Sequence, residues 1–213
     1  MNALGMLEVY SFTAAVCAAD VCAKSGGVKI TAFDRNRPKS ADVPAPLVMH
    51  IKLEGGVADV KAAVEAGAEY AKSKGKYIVS HVIPRPAEKV DRLAYRLDIN
   101  KDKFNKKLPK TFLGYDGEIS AEPHCIGLLE VQGLVAAITG LDAMAKAADV
   151  RLVHTEKRLG GRLVTLVITG RIDAVESALG AGREAAKNLG DVLGCEAIAN
   201  LHPEVARFFD FSE

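Results

Sequence analysis

The sequence has no tryptophan, and aromatic residues make up only 6% of its 213 residues. Alanine and glycine are abundant instead, which predicts a core packed from small side chains on closely approaching elements. Lys and Arg (28) balance Asp and Glu (27), and the net charge of +1 argues against a surface devoted to nucleic acid or anionic membranes. A near-neutral surface also permits self-association.

The sequence also lacks a long hydrophobic run and a secretory pattern. The longest apolar stretch, VYSFTAAVCAA, ends at Asp20 and is too short to span a bilayer. The four cysteines include no CxxC pair, which is the usage of a reducing compartment, where Cys acts as a small buried hydrophobe. We therefore expect a cytoplasmic protein whose cysteines pack in its interior.

Recognisable catalytic motifs are absent as well. There is no P-loop, no GxSxG, no HExxH and no Cys/His spacing for a metal, and the five histidines are scattered. Glu8 with Glu130, and Asp20 with Asp142, invite an acid–base interpretation. A duplication explains both pairs more simply, because a carboxylate present once per copy appears twice per chain. We expect no catalytic residues, no metal site and no cofactor.

The chain repeats itself. A shift of 122 residues places Gly5, Glu8 and Ala14 on Gly127, Glu130 and Ala136, and further along a shift of 115 places Gly67 on Gly182. This density of matches with a single change of register indicates an internal duplication.

Each copy has the pattern strand–helix–strand–strand–helix–strand. Short β-branched segments such as VKITAF alternate with small-residue helices, and Gly75 is placed to end the second helix. Val57, Val60 and Val64 recur at helical spacing in that helix. The predicted fold class is α+β, two tandem ferredoxin-like (βαββαβ) domains.

The domain boundaries follow from the repeat. We predict a first domain over residues 1–90, an inserted extension over 91–122 and a second domain over 123–213. The insertion is too long for a turn and too rich in Leu, Phe and Tyr for a free linker, so we expect it to pack over the domains. Its five lysines between 101 and 110 are interpreted as a solvated face, with nucleic-acid contact as the alternative.

Both copies resemble the shell proteins of bacterial microcompartments. The motifs are the G-(L/M)-(L/I)-E strand, the LDAMAKAADV helix, the EKRLGGR loop and the IPRP end. With two copies that both begin with the "LE" strand, the chain is similar to the tandem-domain, non-permuted type. That resemblance implies a homotrimer shaped as a pseudohexamer, a structural tile that joins other shell proteins and carries a central pore for metabolite transport.

The resemblance also implies which residues form the tile edges and the pore. The expected edge residues are Lys24, Arg85, Lys146 and Asn200, where Asn200 lies at the place of the family arginine, so the two kinds of edge should differ. The expected pore-lining residues are Arg35, Arg37, Lys39, Ser40, Leu159, Gly160 and Gly161.

The two pore loops differ in length and charge. The loop of the first copy is longer by about seven residues and contains three prolines, which stiffen it. Its basic residues suggest a pore for small anionic metabolites. The alternatives are that these charges point into solvent and that the loop of the second copy is a plain hairpin turn. Neither loop contains Cys, which argues against a pore iron–sulfur cluster.

One different class of function stays open from the residues alone. Duplicated ferredoxin-like units also occur as small-molecule sensors, and fold by itself does not decide function.

Overall fold

A computed structural model describes residues 2–40, 42–88, 90, 99, 124–156, 160–209 and 211. The first copy contains β1 (Ala3–Tyr10), α1 (Phe12–Ser25), β2 (Val28–Asn36), β3 (Val48–Gly55), α2 (Val57–Ser73) and β4 (Tyr77–Ile83). The second contains β5 (His124–Gln132), α3 (Leu134–Ala147), β6 (Val150–Glu156), β7 (Leu163–Gly170), α4 (Ile172–Ala186) and β8 (Val192–Leu201). A short helix, α5 (Pro203–Ala206), follows.

Each copy forms one four-stranded antiparallel sheet with two helices. The strand orders are β2-β3-β1-β4 and β6-β7-β5-β8, so the first strand of each copy lies between the third and the last. The predicted α+β fold of two tandem βαββαβ domains is confirmed. Among the described residues, the short helix α5 is the element that the sequence reading did not predict.

Small residues allow the two helices of each copy to pack closely. Gly67 of α2 lies against α1, where a Cβ in its place would come within 2.3 Å of the Cys22 Sγ and 3.2 Å of the Ala18 carbonyl oxygen. Gly182 of α4 takes the same place against Met144 of α3. The duplicated glycines are therefore required by helix–helix contact, as the composition suggested.

Two details refine the predicted second helix. Gly75 follows the helix end at a φ of +64°, which confirms it as the C-terminal stop. Val60 and Val64 of this helix are buried, and Val57, its first residue, is exposed.

The hydrophobic core continues from one copy into the other. One cluster combines α1 and the first sheet with Ile126, Leu128 and Ile198 of the second sheet. The other face of the second sheet packs on its own helices around Leu129, Val131 and Met144. The insertion contributes Ile99, which is buried, and its amide donates to the Phe33 carbonyl of β2 (2.7 Å). The two copies therefore share one interior.

Among the described residues, no helix combines the length and apolar character needed to cross a membrane. The five lysines of the insertion lie outside the described residues, as does most of the predicted extension.

Candidate functional site: the junction between the two copies

The junction is organised around one buried carboxylate. Glu130, near the end of β5, has no exposed surface. Its Oε2 accepts from the Ser11 hydroxyl (2.6 Å) and the Thr13 amide (2.9 Å), and its Oε1 accepts from the Phe12 amide (3.2 Å). Because these amides belong to the first turn of α1, a side chain of the second copy caps a helix of the first.

Further along α1, the second copy supplies more contacts. The Asp20 carboxylate accepts from the His202 amide (2.7 Å) and pairs with Lys24 (2.6 Å). At the edge strand β2, the Ile30 amide donates to Glu204 (3.0 Å), and the Arg207 guanidinium donates to the Ile30 carbonyl. Lys74 pairs with Glu196 across the junction (2.6 Å). The two domains are thus joined along the whole length of α1.

The equivalent surface of the second copy is uncovered. Counting 122 residues on from Phe12, Thr13 and Val16, all buried, gives Leu134, Val135 and Ile138 of α3. These three side chains are 60%, 67% and 59% exposed.

Inside the chain β8 covers the start of α1, and the corresponding surface of β4 in the first copy is exposed. Within the chain, Gly194 of β8 packs against the Thr13 side chain. The β4 residue 115 positions earlier is Val79, which is 48% exposed. Glu8, the counterpart of Glu130, is half-buried, and its Oε1 lies 3.2 Å from the His50 Nδ1. One chain therefore carries two exposed surfaces, on α3 and on β4 with the end of β1, whose counterparts are in contact inside the chain.

The loops predicted to line a pore lie together at the end of this junction. Gly161 contacts the first-copy loop so closely that a Cβ on it would come within 2.8 Å of the Pro46 ring. A Cβ on Gly160 would lie 4.0 Å from the Arg37 Nε. Both glycines have positive φ, which favours glycine at these turns. The structure thus brings the two loops into one site.

The basic side chains of this site face outward. Arg35, Arg37, Lys39 and Ser40 are all exposed, and the local fold of their loop rests on short contacts such as the Arg37 amide donating to Asn36 (2.8 Å). Lys76 at the start of β4 anchors the loop by donating to the Pro44 carbonyl (3.0 Å). Leu159 and the neighbouring Lys157 and Arg158 lie outside the described residues.

The predicted edge residues are separated from the loops. Lys24 ends α1 and Lys146 ends α3, each paired with an aspartate four residues earlier, Asp20 and Asp142. Arg85 and Asn200, after β4 and near the end of β8, are exposed. Their role at a tile edge stays a prediction.

The cysteines behave as packing residues. Cys17 and Cys22 are buried, Cys125 and Cys195 are half-buried, and all four are free thiols. Burial raises the pKa of Cys17 and of Cys22 to about 12, which disfavours the thiolate that nucleophiles and metal ligands require. Over the part of the chain that the structure describes, no group of three His, Cys, Asp or Glu side chains is arranged to hold a metal ion.

Two duplicated domains with this topology, joined by a shared core, are matched by a known family. Residues 3–86 and 125–201 both match the BMC domain. The chain belongs to the BMC domain family. Its similarity to the shell-protein motifs noted in the sequence is thereby confirmed, and the tandem arrangement with it.

Relatives fall into two groups by length. The chain is 28% identical over 90% of its length to the carboxysome assembly protein CcmO of Synechococcus elongatus (strain ATCC 33912 / PCC 7942 / FACHB-805), and it spans 62% of that protein. It is 41% identical over 86 residues, 40% of the chain, to the bacterial microcompartment shell protein PduA of Salmonella typhimurium, covering 90% of PduA.

Further matches are of the same kind. The carboxysome shell protein CsoS1A of Hydrogenovibrio crunogenus is 44% identical over 81 residues, which cover 38% of the chain and 83% of CsoS1A. A crystal structure of a microcompartment protein from Desulfitobacterium hafniense DCB covers 97% of the chain and is itself covered to 99%, at 22% identity and a TM-score of 0.38.

Sequence reasoning treated Glu8 and Glu130 as products of duplication and missed what Glu130 does. A signal for this role was present in the sequence. Each copy has an acidic residue near the end of its first strand, and each copy has a helix start whose amides need an acceptor. The structure contradicts neither the expected pore residues nor the expected edge residues.

Proposed function

We propose that the chain is a structural shell protein of a bacterial microcompartment in the cytoplasm, and not an enzyme. The relatives are named as shell and assembly proteins, and the chain has two domains of their family. The acidic pairs that invited a catalytic interpretation have structural roles, since Glu130 caps a helix and Asp20 joins the two copies. Other shell proteins are its expected partners.

The chain closes into a homotrimer, a pseudohexamer of six similar wedges. The observation that supports this is the pair of exposed surfaces, α3 on one side and β4 with Glu8 on the other. The two surfaces are different from each other, so their contact is head-to-tail, and a head-to-tail contact generates a closed ring where the rotation from each wedge to the next divides a full turn evenly. Three chains supply six wedges.

The duplication defines which atoms meet in that ring. Glu8 of one chain accepts from the amides of Leu134 and Val135 of the next, as Glu130 does from Phe12 and Thr13 within the chain. Val79 of one chain packs against Val135 of the next, at the positions that correspond to the contact of Gly194 with Thr13 inside the chain. The contact between chains is thus more apolar than the junction within one chain.

A substitution in α3 tests the ring. Val135→Asp places a charge in the apolar contact, where an unpaired carboxylate is strongly unfavourable. The native protein should have a mass of about 68 kDa, three times the chain mass of 22.6 kDa, and the variant should be a monomer by light scattering. Val57→Asp is the matched control, because Val57 is an exposed valine at the start of α2.

The outcome is unambiguous in either direction. A trimer that survives Val135→Asp, or a native protein that is a dimer, would refute the arrangement. If Val57→Asp dissociates the assembly as well, the effect is not specific to α3.

The pore follows from the ring, because the loops of both copies lie at one end of the junction. Three chains bring six loops around the axis, with Arg35, Arg37 and Lys39 of each chain exposed there. These charges focus small anionic metabolites into the opening. Replacing the three by glutamate should reverse the preference for anions in a bilayer conductance measurement. An unchanged preference would overturn this part of the proposal.

The edges of the tile are formed by Lys24, Lys146, Arg85 and Asn200. Lys24 is held by Asp20, whose other oxygen accepts from His202, whereas Asp142 beside Lys146 is largely exposed. The lysine of the first copy is therefore held more rigidly than the lysine of the second copy. The two edges also differ because the first copy has Arg85 where the second has Asn200. Lys146→Ala should disrupt layers of tiles in electron micrographs while leaving the trimer mass unchanged.

A further inference from the structure

We propose that the junction within each chain contains a binding site for a small phosphate-bearing anion. The site is a cavity of about 240 Å³ between the two copies. Its walls come from the start of α1, the turn between α2 and β4, the end of α4 and the first residues of β8. It is formed within one chain, so it does not depend on closure of the trimer.

Cations predominate in the lining. Against Lys74, Lys76 and Arg183 stand two carboxylates: Glu196, which pairs with Lys74, and Glu130 behind the wall, which accepts from the lining residues Ser11 and Thr13. Lys76 uses one of its three donors on the Pro44 carbonyl. The Arg183 guanidinium has no hydrogen bond or ion pair with any residue that the structure describes, which leaves five N–H donors for a ligand.

The duplication shows that these residues are not a shared structural feature of the fold. At the corresponding positions for the contact between chains, Lys74 is replaced by Leu189 and Lys76 by Asp191. Arg183 corresponds to Ala68, and Thr13 to Val135. All three cations are therefore specific to the junction inside the chain.

The donors match a phosphate group better than a smaller anion. A phosphate ester has three acceptor oxygens and a charge of about −1.5 to −2 at neutral pH. Planar guanidinium donors bind such a group through two parallel hydrogen bonds, while each lysine contributes a point charge. The apolar wall formed by Val192 and Leu193 would contact the remainder of an organic phosphate.

Calorimetric titration of the full chain at low ionic strength tests the site. The probes are inorganic phosphate and glycerol 3-phosphate, with acetate as the carboxylate of similar size. We expect both phosphates to bind and acetate to bind more weakly. Glycerol 3-phosphate binding more tightly than phosphate would identify an organic phosphate as the natural ligand, and the reverse would identify the free ion. Equal or tighter binding of acetate would overturn the assignment to phosphate.

The variants locate the binding. Arg183→Ala removes an exposed side chain and should weaken phosphate binding at least about tenfold. Lys187→Ala is the control, because it removes a cation from the same end of α4 outside the lining and should alter binding less than about twofold.

The proposal is overturned if neither phosphate binds, or if Lys187→Ala weakens binding as much as Arg183→Ala does. Repeating the titration on Val135→Asp separates this proposal from the trimer. Binding by that variant should equal that of the native protein, whatever its assembly state.

Discussion

Removing the Glu130 carboxylate should uncouple the two copies. In Glu130→Ala, the Phe12 amide, the Thr13 amide and the Ser11 hydroxyl lose their acceptor, and all three residues are buried. Each buried donor left unpaired costs about 1–3 kcal/mol, and losing the charge at the start of α1 adds about 0.5–1 kcal/mol. We expect the free energy of unfolding to fall by at least about 4 kcal/mol in total, the lower end of this sum.

Glu130→Gln provides a graded comparison. Its amide oxygen can keep the two shorter bonds, to Ser11 and Thr13, and lose only the 3.2 Å bond to Phe12. The expected cost is about 2 kcal/mol, because charge-assisted bonds become neutral ones. Glu176→Ala, on the exposed side of α4, is the control and should change stability by less than about 0.5 kcal/mol.

Urea denaturation followed by circular dichroism is the assay, since the chain has no tryptophan. All variants are compared at one protein concentration, because association adds to apparent stability. The Glu130→Ala curve should separate into two transitions, one for each copy. A loss below about 1 kcal/mol with a single transition would refute the role assigned to Glu130.

Two further predictions concern the buried Gly67, Cys17 and Cys22 of the first copy, with the exposed Gly180 of the second copy as a comparison. Gly67→Ala should destabilise the protein by about 1–3 kcal/mol, because the added Cβ would clash with Cys22. Gly180→Ala should stabilise the protein by about 0.5–1 kcal/mol, because there is open space around Gly180. Equal effects of the two substitutions in thermal melts would contradict the close packing at Gly67. Burial raises the pKa of Cys17 and Cys22 from 9.0 to about 12. Because the unfolded chain loses these protons at lower pH than the folded chain, the free energy of unfolding should fall as the pH rises from 9 to 12. Replacing both cysteines by alanine should flatten that fall in urea titrations at several pH values, and an unchanged slope would exclude the thiols as its cause.

Much of the fold could be predicted from the sequence because the duplication tests each element twice. The strands and helices of both copies follow the predicted order, since Gly75 and the β-branched runs are strong local signals. The helix α5 was missed because it has only four residues, although Pro203 and Glu204 after His202 form a recognisable helix start.

The site was predicted in part. The loops after β2 and β6 lie together, and their place at a pore stays a prediction. The open face of α3 could not be predicted, since Leu134 and Val135 have the apolar character expected of either a core or an interface. The cavity was missed because its three cations come from two separate segments and become neighbours only when the second copy docks on α1.

A structure of the assembled protein tests the central claim most directly, through the position of the Glu8 carboxylate. The account predicts three chains in a ring, with Glu8 of each accepting from the Leu134 and Val135 amides of the next and Val79 in contact with Val135. An assembly in which Glu8 remains with His50 and the start of α3 faces solvent would contradict it.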